Sequence, residues 1–214
     1  MLDGPRLAPL SGGKANALVV LVHGYGSNGD DLISLAAMIQ PALPDVAFVA
    51  PNAPSLIPNM ANAHQWWPID TFSPAERASG AVAAAPELDG FLSRELEEHG
   101  LTDDRLLLVG FSQGTMMSLH VGLRRAKPIA GIVGISGMLV APETLAAEIG
   151  SQPPVLLIHG TADNVVPFRS LDLASTALVA AGVPVETHVS PGLGHSVDQD
   201  GLAAAAAFAV RLLT

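Results

Sequence analysis

The amino-acid sequence predicts an α/β architecture: a doubly wound, mostly parallel sheet with helices on both faces. Three observations carry that expectation. Six short apolar runs recur along the 214 residues, longer segments of helical period separate them, and no linker, charge block or internal repeat divides the chain. The runs fall at 18–22, 46–50, 106–109, 129–135, 155–159 and 183–189. Most are continuously apolar, the pattern of parallel strands buried on both faces. The first, Leu18-Val19-Val20-Leu21-Val22, precedes a helical pattern over about 30–41, and the second closes on Pro51. Asn52 to Ser73 then forms the one long connection. Ser73-Pro74-Ala75-Glu76 has the form of a capping box with proline at the first helical position, so a long helix is expected over 74–99. Pro86 should kink that helix or split it in two. The four remaining runs are each followed by a helical pattern, over about 113–125, 142–149, 169–181 and 201–213.

A length of 214 residues suits one domain spanning 1–214. With 49% hydrophobic and 14% charged residues, the chain is not disordered. A net charge of −10 argues against nucleic acid and anionic membranes as partners, since both require basic patches. The absence of cysteine removes a thiol nucleophile, a disulfide framework and any cysteine-based metal site. The start, Met1-Leu2-Asp3-Gly4-Pro5, lacks the basic and apolar stretches of a secretion signal. The longest apolar stretch, 202–210, is about half of a membrane span, so no stable membrane insertion is expected. A soluble, cytoplasmic protein is the expectation.

Catalytic groups in such a sheet belong at the carboxyl ends of the strands. The run 106–109 feeds Gly110-Phe111-Ser112-Gln113-Gly114, and a helical segment starts at once. This is the strand–turn–helix setting of a nucleophile elbow. The five-residue pattern alone is weak, and an ordinary tight turn with a serine cap would also produce it. Its weight comes from what stands at the other strand ends. Asp163 follows the run 155–159, and His195 follows the run 183–189 in Gly192-Leu193-Gly194-His195. The order Ser112, Asp163, His195 is the one used by nucleophile-elbow enzymes. A serine hydroxyl needs an imidazole to take its proton and a carboxylate to fix that imidazole's tautomer. Asp198 and Asp200 also lie near His195, but they precede the last helix and read as cap residues. His159 closes a strand and is expected to orient the acid loop. No His-x-x-x-His or related spacing suggests a metal site. Two donors should hold a tetrahedral oxyanion: the N–H of Gln113, and that of Tyr25 in the turn His23-Gly24-Tyr25-Gly26.

With these pieces the chain resembles the carboxylesterase/phospholipase branch of the α/β hydrolases, which includes the acyl-protein thioesterases. The resemblance runs from about residue 17 onward and rests on Val22-His23-Gly24-Tyr25-Gly26, Pro51-Asn52-Ala53-Pro54, Gln65-Trp66-Trp67-Pro68-Ile69, Gly110-Phe111-Ser112-Gln113-Gly114, Ser136-Gly137, His159-Gly160-Thr161-Ala162-Asp163 and Gly192-Leu193-Gly194-His195. It implies an α/β-hydrolase fold, a triad of Ser112, Asp163 and His195, an oxyanion hole at Tyr25 and Gln113, and ester hydrolysis without a cofactor. It also admits a homodimer, which nothing in the residues demands. One departure is Tyr25, where the eukaryotic thioesterases often carry leucine.

About 17 residues separate Gly137 from Pro154, too few for a large cap domain. An open site favours small-molecule esters with short or medium acyl groups. Trp66, Trp67, Met138, Leu139 and Val166 are the candidate substrate wall, although the two tryptophans could equally pack the long connection onto the domain. A thioesterase or lysophospholipase acting on long acyl chains would use the same residues. An inactive hydrolase-fold binding module is the reading from another class, though such modules usually lose a triad member.

Overall fold

The computed structural model describes residues 1–214. In chain order its strands are β1 (Arg6–Leu7), β2 (Ala17–Val22), β3 (Val46–Val49), β4 (Ser55–Leu56), β5 (His64–Gln65), β6 (Leu106–Phe111), β7 (Gly131–Ile135), β8 (Val155–Gly160) and β9 (Val185–Ser190). The helices are α1 (Gly29–Ile39), α2 (Pro74–His99), α3 (Gln113–Gly122), α4 (Pro142–Glu148), α5 (Arg169–Ala180) and α6 (Gln199–Leu213). Seven strands form one sheet in the order β1-β3-β2-β6-β7-β8-β9. Only β1 runs antiparallel to its neighbour. β4 and β5 form a small hairpin inside the long connection.

The apolar runs divide their side chains between two cores, as continuous burial requires. Leu18, Val20 and Val22 of β2 pack with Leu88 and Phe91 of α2, Met116 of α3 and Leu171 of α5. Ala17, Val19 and Leu21 face the other way, with Leu32 and Ala36 of α1 and Phe208 of α6. The sheet is therefore wound on both faces. From β2 the chain passes to β3 on one side, and β6 lies on the other. The crevice beyond the carboxyl ends of β2 and β6 is the topological switch point, where such sheets bind ligands.

Two local expectations need correction. Pro86 does not split α2, which is one 26-residue helix. Pro86 and Val82, the residue whose carbonyl loses its helical donor, both lie on the exposed face, where water can serve that oxygen. The capping box is half formed. Ser73 accepts the N–H of Glu76, but the Glu76 carboxylate collects the N–H groups of Asp70, Thr71 and Phe72 instead of returning to Ser73. Between Gly137 and Pro154 stands only α4, of seven residues. No helix is long and apolar enough to cross a membrane.

Candidate active site

Ser112 stands between the end of β6 and the start of α3, at φ 54° and ψ −115°. A non-glycine residue in that region costs about 1–3 kcal/mol and persists only where its surroundings enforce it. Here they do. Ser112 N–H donates to Ile135 O at 2.9 Å, and Ser112 O accepts from Thr115 and Met116. The Thr115 hydroxyl lies 2.8 Å from both Gly110 O and Ile135 O and accepts the N–H of Ile135, which ties the elbow to β7. A Cβ on Gly114 would collide with Val22 O, so α3 could not start so close to β2 with any larger residue.

The loops carrying Asp163 and His195 follow the neighbouring strands β8 and β9 and are stitched together. Thr161 N–H donates to Ser190 O, Ala162 N–H to Leu193 O, and Gly192 N–H to the Thr161 hydroxyl. A Cβ on Gly160 would meet Leu193 O, so glycine is required where the two loops cross. The result is a hydrogen bond of 2.8 Å between His195 Nδ1 and Asp163 Oδ2. Since an ionised carboxylate only accepts, Nδ1 carries the proton and Nε2 is left without one, as an acceptor. The Asp163 side chain is fully enclosed, whereas 18% of the His195 side chain is exposed. Burial pulls the Asp163 pKa upward, but His195 and the N–H groups of Val166 and Val165 outweigh it and hold the carboxyl below its ordinary value. His159 Nε2–H donates to Val166 O at 2.9 Å and lies 3.2 Å from Asp163 Oδ2, so it orients the acid loop. Asp198 caps α6 by accepting Gly201 N–H, which matches its reading as a cap residue.

Ser112 and His195 line the same two hollows. One, of about 170 Å³, is apolar and includes Trp67, Phe72, Val165 and Val166. The other, of about 350 Å³, lies toward α1 and the loop beyond His195. The Ser112 hydroxyl makes no hydrogen bond to His195, and such contacts commonly tighten only when substrate binds. A larger hollow of about 590 Å³, lined by His120 and Arg125, contains neither residue.

Gln113 is the first residue of α3, so its N–H has no acceptor within the helix. Its side chain does work that the sequence reading missed. Oε1 accepts the N–H of Trp66 at 2.9 Å and Nε2 donates to Trp67 O at 3.0 Å, a two-point clamp on the long connection. The turn after β2 is held as tightly. His23 Nδ1–H donates to Gly24 O at 2.7 Å, and His23 Nε2 accepts Ala53 N–H at 2.9 Å. In a trans peptide the C=O and N–H point opposite ways, so a Gly24 carbonyl drawn toward His23 turns the Tyr25 N–H away from it. Burial pushes His23 down to about 4, which keeps it the neutral ring this arrangement needs.

The expected substrate wall is only partly assembled. Tyr25, Gln113, Trp67 and Val166 border the apolar hollow. Trp66 does not: it is 3% exposed, its indole N–H goes to His23 O at 2.9 Å, and it belongs to the scaffold beneath the site. Met138 lines a separate, very small void under α3 and α5, and Leu139 packs against the core. Ser136, two residues before the expected Met138-Leu139 wall, donates to Ser196 O and so steadies the histidine loop.

Comparison with known proteins agrees with this architecture. The model of the phospholipase/carboxylesterase family matches residues 10–212. Acyl-protein thioesterase 1 of Gibberella zeae is 29% identical over 228 residues, covering 97% of this chain and 96% of that protein. Acyl-protein thioesterase 1 of Schizosaccharomyces pombe is 34% identical over 160 residues, covering 71% and 70%. Among solved structures, esterase PE8 superposes with a TM-score of 0.95 at 46% identity and 99% coverage of both chains. Arabidopsis thaliana SOBER1, at 24% identity and a TM-score of 0.83 over 92% of this chain and 99% of that one, shares the fold. The chain is a serine hydrolase enzyme with the α/β-hydrolase fold, and it belongs to the phospholipase/carboxylesterase family.

Proposed function

We propose that this enzyme hydrolyses short- to medium-chain carboxylic esters through Ser112, His195 and Asp163, by way of an acyl-enzyme. The observation that carries the reading is the 2.8 Å His195–Asp163 bond beside hollows that Ser112 and His195 share. Ser112 attacks the acyl carbonyl while His195 Nε2 takes its proton, and Asp163 steadies the imidazolium that forms. The N–H groups of Tyr25 and Gln113 hold the tetrahedral oxygen. The alcohol leaves with a proton from His195, and water repeats the sequence on the acyl-enzyme.

The acyl group takes the apolar hollow. At about 170 Å³ it falls below the roughly 300 Å³ at which ligand pockets usually begin, which favours the shorter chains. The second reading, removal of long acyl groups from proteins, is favoured by the names of the relatives. A panel of p-nitrophenyl esters from acetyl to palmitoyl, run beside acyl-CoA and lysophospholipid, separates the two. kcat/KM should peak among the short chains, and a maximum at palmitoyl overturns the preference. A fluorophosphonate should label the wild type and leave Ser112→Ala unlabelled. Equal labelling of the two would remove Ser112 from the mechanism.

A further inference from the structure

We propose that Asp31 makes the wider hollow a selector of leaving-group charge, favouring cationic alcohols over neutral ones and neutral ones over anionic ones. The inference rests on the esterase reading above, in which the two halves of the ester lie on either side of Ser112. The narrow hollow is walled by Trp67, Ile69, Phe72 and Met116 and suits an apolar acyl group. The wider one opens between α1 and the histidine loop, where Ser27, Asp31 and Ser196 stand among Leu32, Leu35 and Val197. A polar leaving group fits there, within reach of His195, which must hand it a proton.

The charge in that space is one-sided. No lysine or arginine lines either hollow, and Asp31 is the only formally charged residue in the two. Arg77, from the start of α2, lines neither hollow and is held by Phe72. Its guanidinium stacks 4.7 Å from the ring centroid and donates to Phe72 O. Asp31 itself has no salt-bridge partner to neutralise it. One of its oxygens accepts the Ser27 hydroxyl at 2.8 Å, and Ser27 is anchored by a backbone bond to His64, so the carboxylate is held on the wall. An acid in the first turn of a helix is favourable without any ligand. Capping, however, is already done by Asn28, which takes the N–H of Asp31 at 3.0 Å. A phosphate or sulfonate on the leaving group would meet this carboxylate with no cation to offset it, and a quaternary ammonium would be attracted.

The test compares kcat/KM for butyrylcholine, its uncharged isostere 3,3-dimethylbutyl butyrate, and 3-sulfopropyl butyrate. The wild type should prefer them in that order, the choline ester over its isostere by about fivefold at low salt, the size of an exposed ion pair. Added salt should shrink the ratio. Asp31→Asn should bring it toward unity, while Asp30→Asn, whose side chain lines neither hollow, should keep it at the wild-type value. A wild-type ratio at or below one, or an undiminished ratio in Asp31→Asn, overturns the proposal. Failure of the esterase reading looks different: no ester is turned over and Ser112 resists the fluorophosphonate.

Discussion

Gln113→Leu separates the two parts that Gln113 plays. Leucine keeps the main-chain N–H at the start of α3 and has nearly the same bulk, but it deletes both bonds of the clamp. The Gln113 side chain is 1% exposed, and the bonds it makes are 2.9 Å to Trp66 N–H and 3.0 Å to Trp67 O. Without them one N–H and one C=O are left unpaired away from water, at about 1–3 kcal/mol each. Partial relaxation of the long connection and the gain from burying an apolar side chain offset some of this. The expected net loss is about 2–4 kcal/mol, which in a chain of this size lowers Tm by roughly 5–15 °C. Urea unfolding followed by tryptophan fluorescence measures it directly, with turnover of p-nitrophenyl butyrate recorded in parallel. Trp66→Phe, which removes the indole bond to His23 O together with part of a buried ring, supplies the second corner of a double-mutant cycle. A loss below about 1 kcal/mol would mean that these two bonds do not brace the site.

Ser112→Gly should relieve the φ 54° strain and raise stability by about 1–3 kcal/mol while abolishing fluorophosphonate labelling, and Ser112→Ala should lose labelling without that gain; equal unfolding midpoints for the two would contradict a strained elbow. Gly160→Ala pushes a methyl group into Leu193 O and displaces the histidine loop, so kcat should fall about 100-fold, and a loss under about threefold would refute the crossing argument. Burial drives His23 and His120 down to about 4, helped at His120 by Arg124, whereas an unfolded histidine titrates near 6.5. Between those values only the unfolded chain takes up protons, so stability falls as pH drops from about 6.5 to 4, by up to about 3 kcal/mol per histidine. His120→Leu removes one contribution and a buried Nδ1 that has no partner; its advantage over wild type in urea should widen toward low pH, and a constant gap between pH 7 and 4.5 refutes the assignment.

The strand ends were legible because they depend on local pattern. Six apolar runs and the residues directly after them place Ser112, Asp163 and His195 at one rim of the sheet. What escaped the sequence depends on partners distant along the chain. The amide of Gln113 meets Trp66 and Trp67 from 47 and 46 residues away, and the indole of Trp66 meets His23 O across 43. An apolar ring in a long connection reads the same whether it will face a ligand or the core, which is why the pattern alone leaves both places open to Trp66. β1, two residues long with no apolar run of its own, left no periodic signal. Pro86 left two outcomes open for a related reason: its effect depends on which side of α2 faces water, and spacing alone does not decide that.

The two hollows draw their walls from different stretches of chain. Ile69 and Phe72 of the long connection shape one, and Leu32 and Leu35 of α1 shape the other. Ser112, Asp163 and His195 belong to neither stretch. If the acyl group and the alcohol divide between the hollows as proposed, tolerance for new acids and tolerance for new alcohols can drift separately, each by substitutions that leave the chemistry alone. A library randomised at Ile69 and Phe72 should change which acids are accepted without changing the ranking of alcohols, and one at Leu32 and Leu35 should do the reverse.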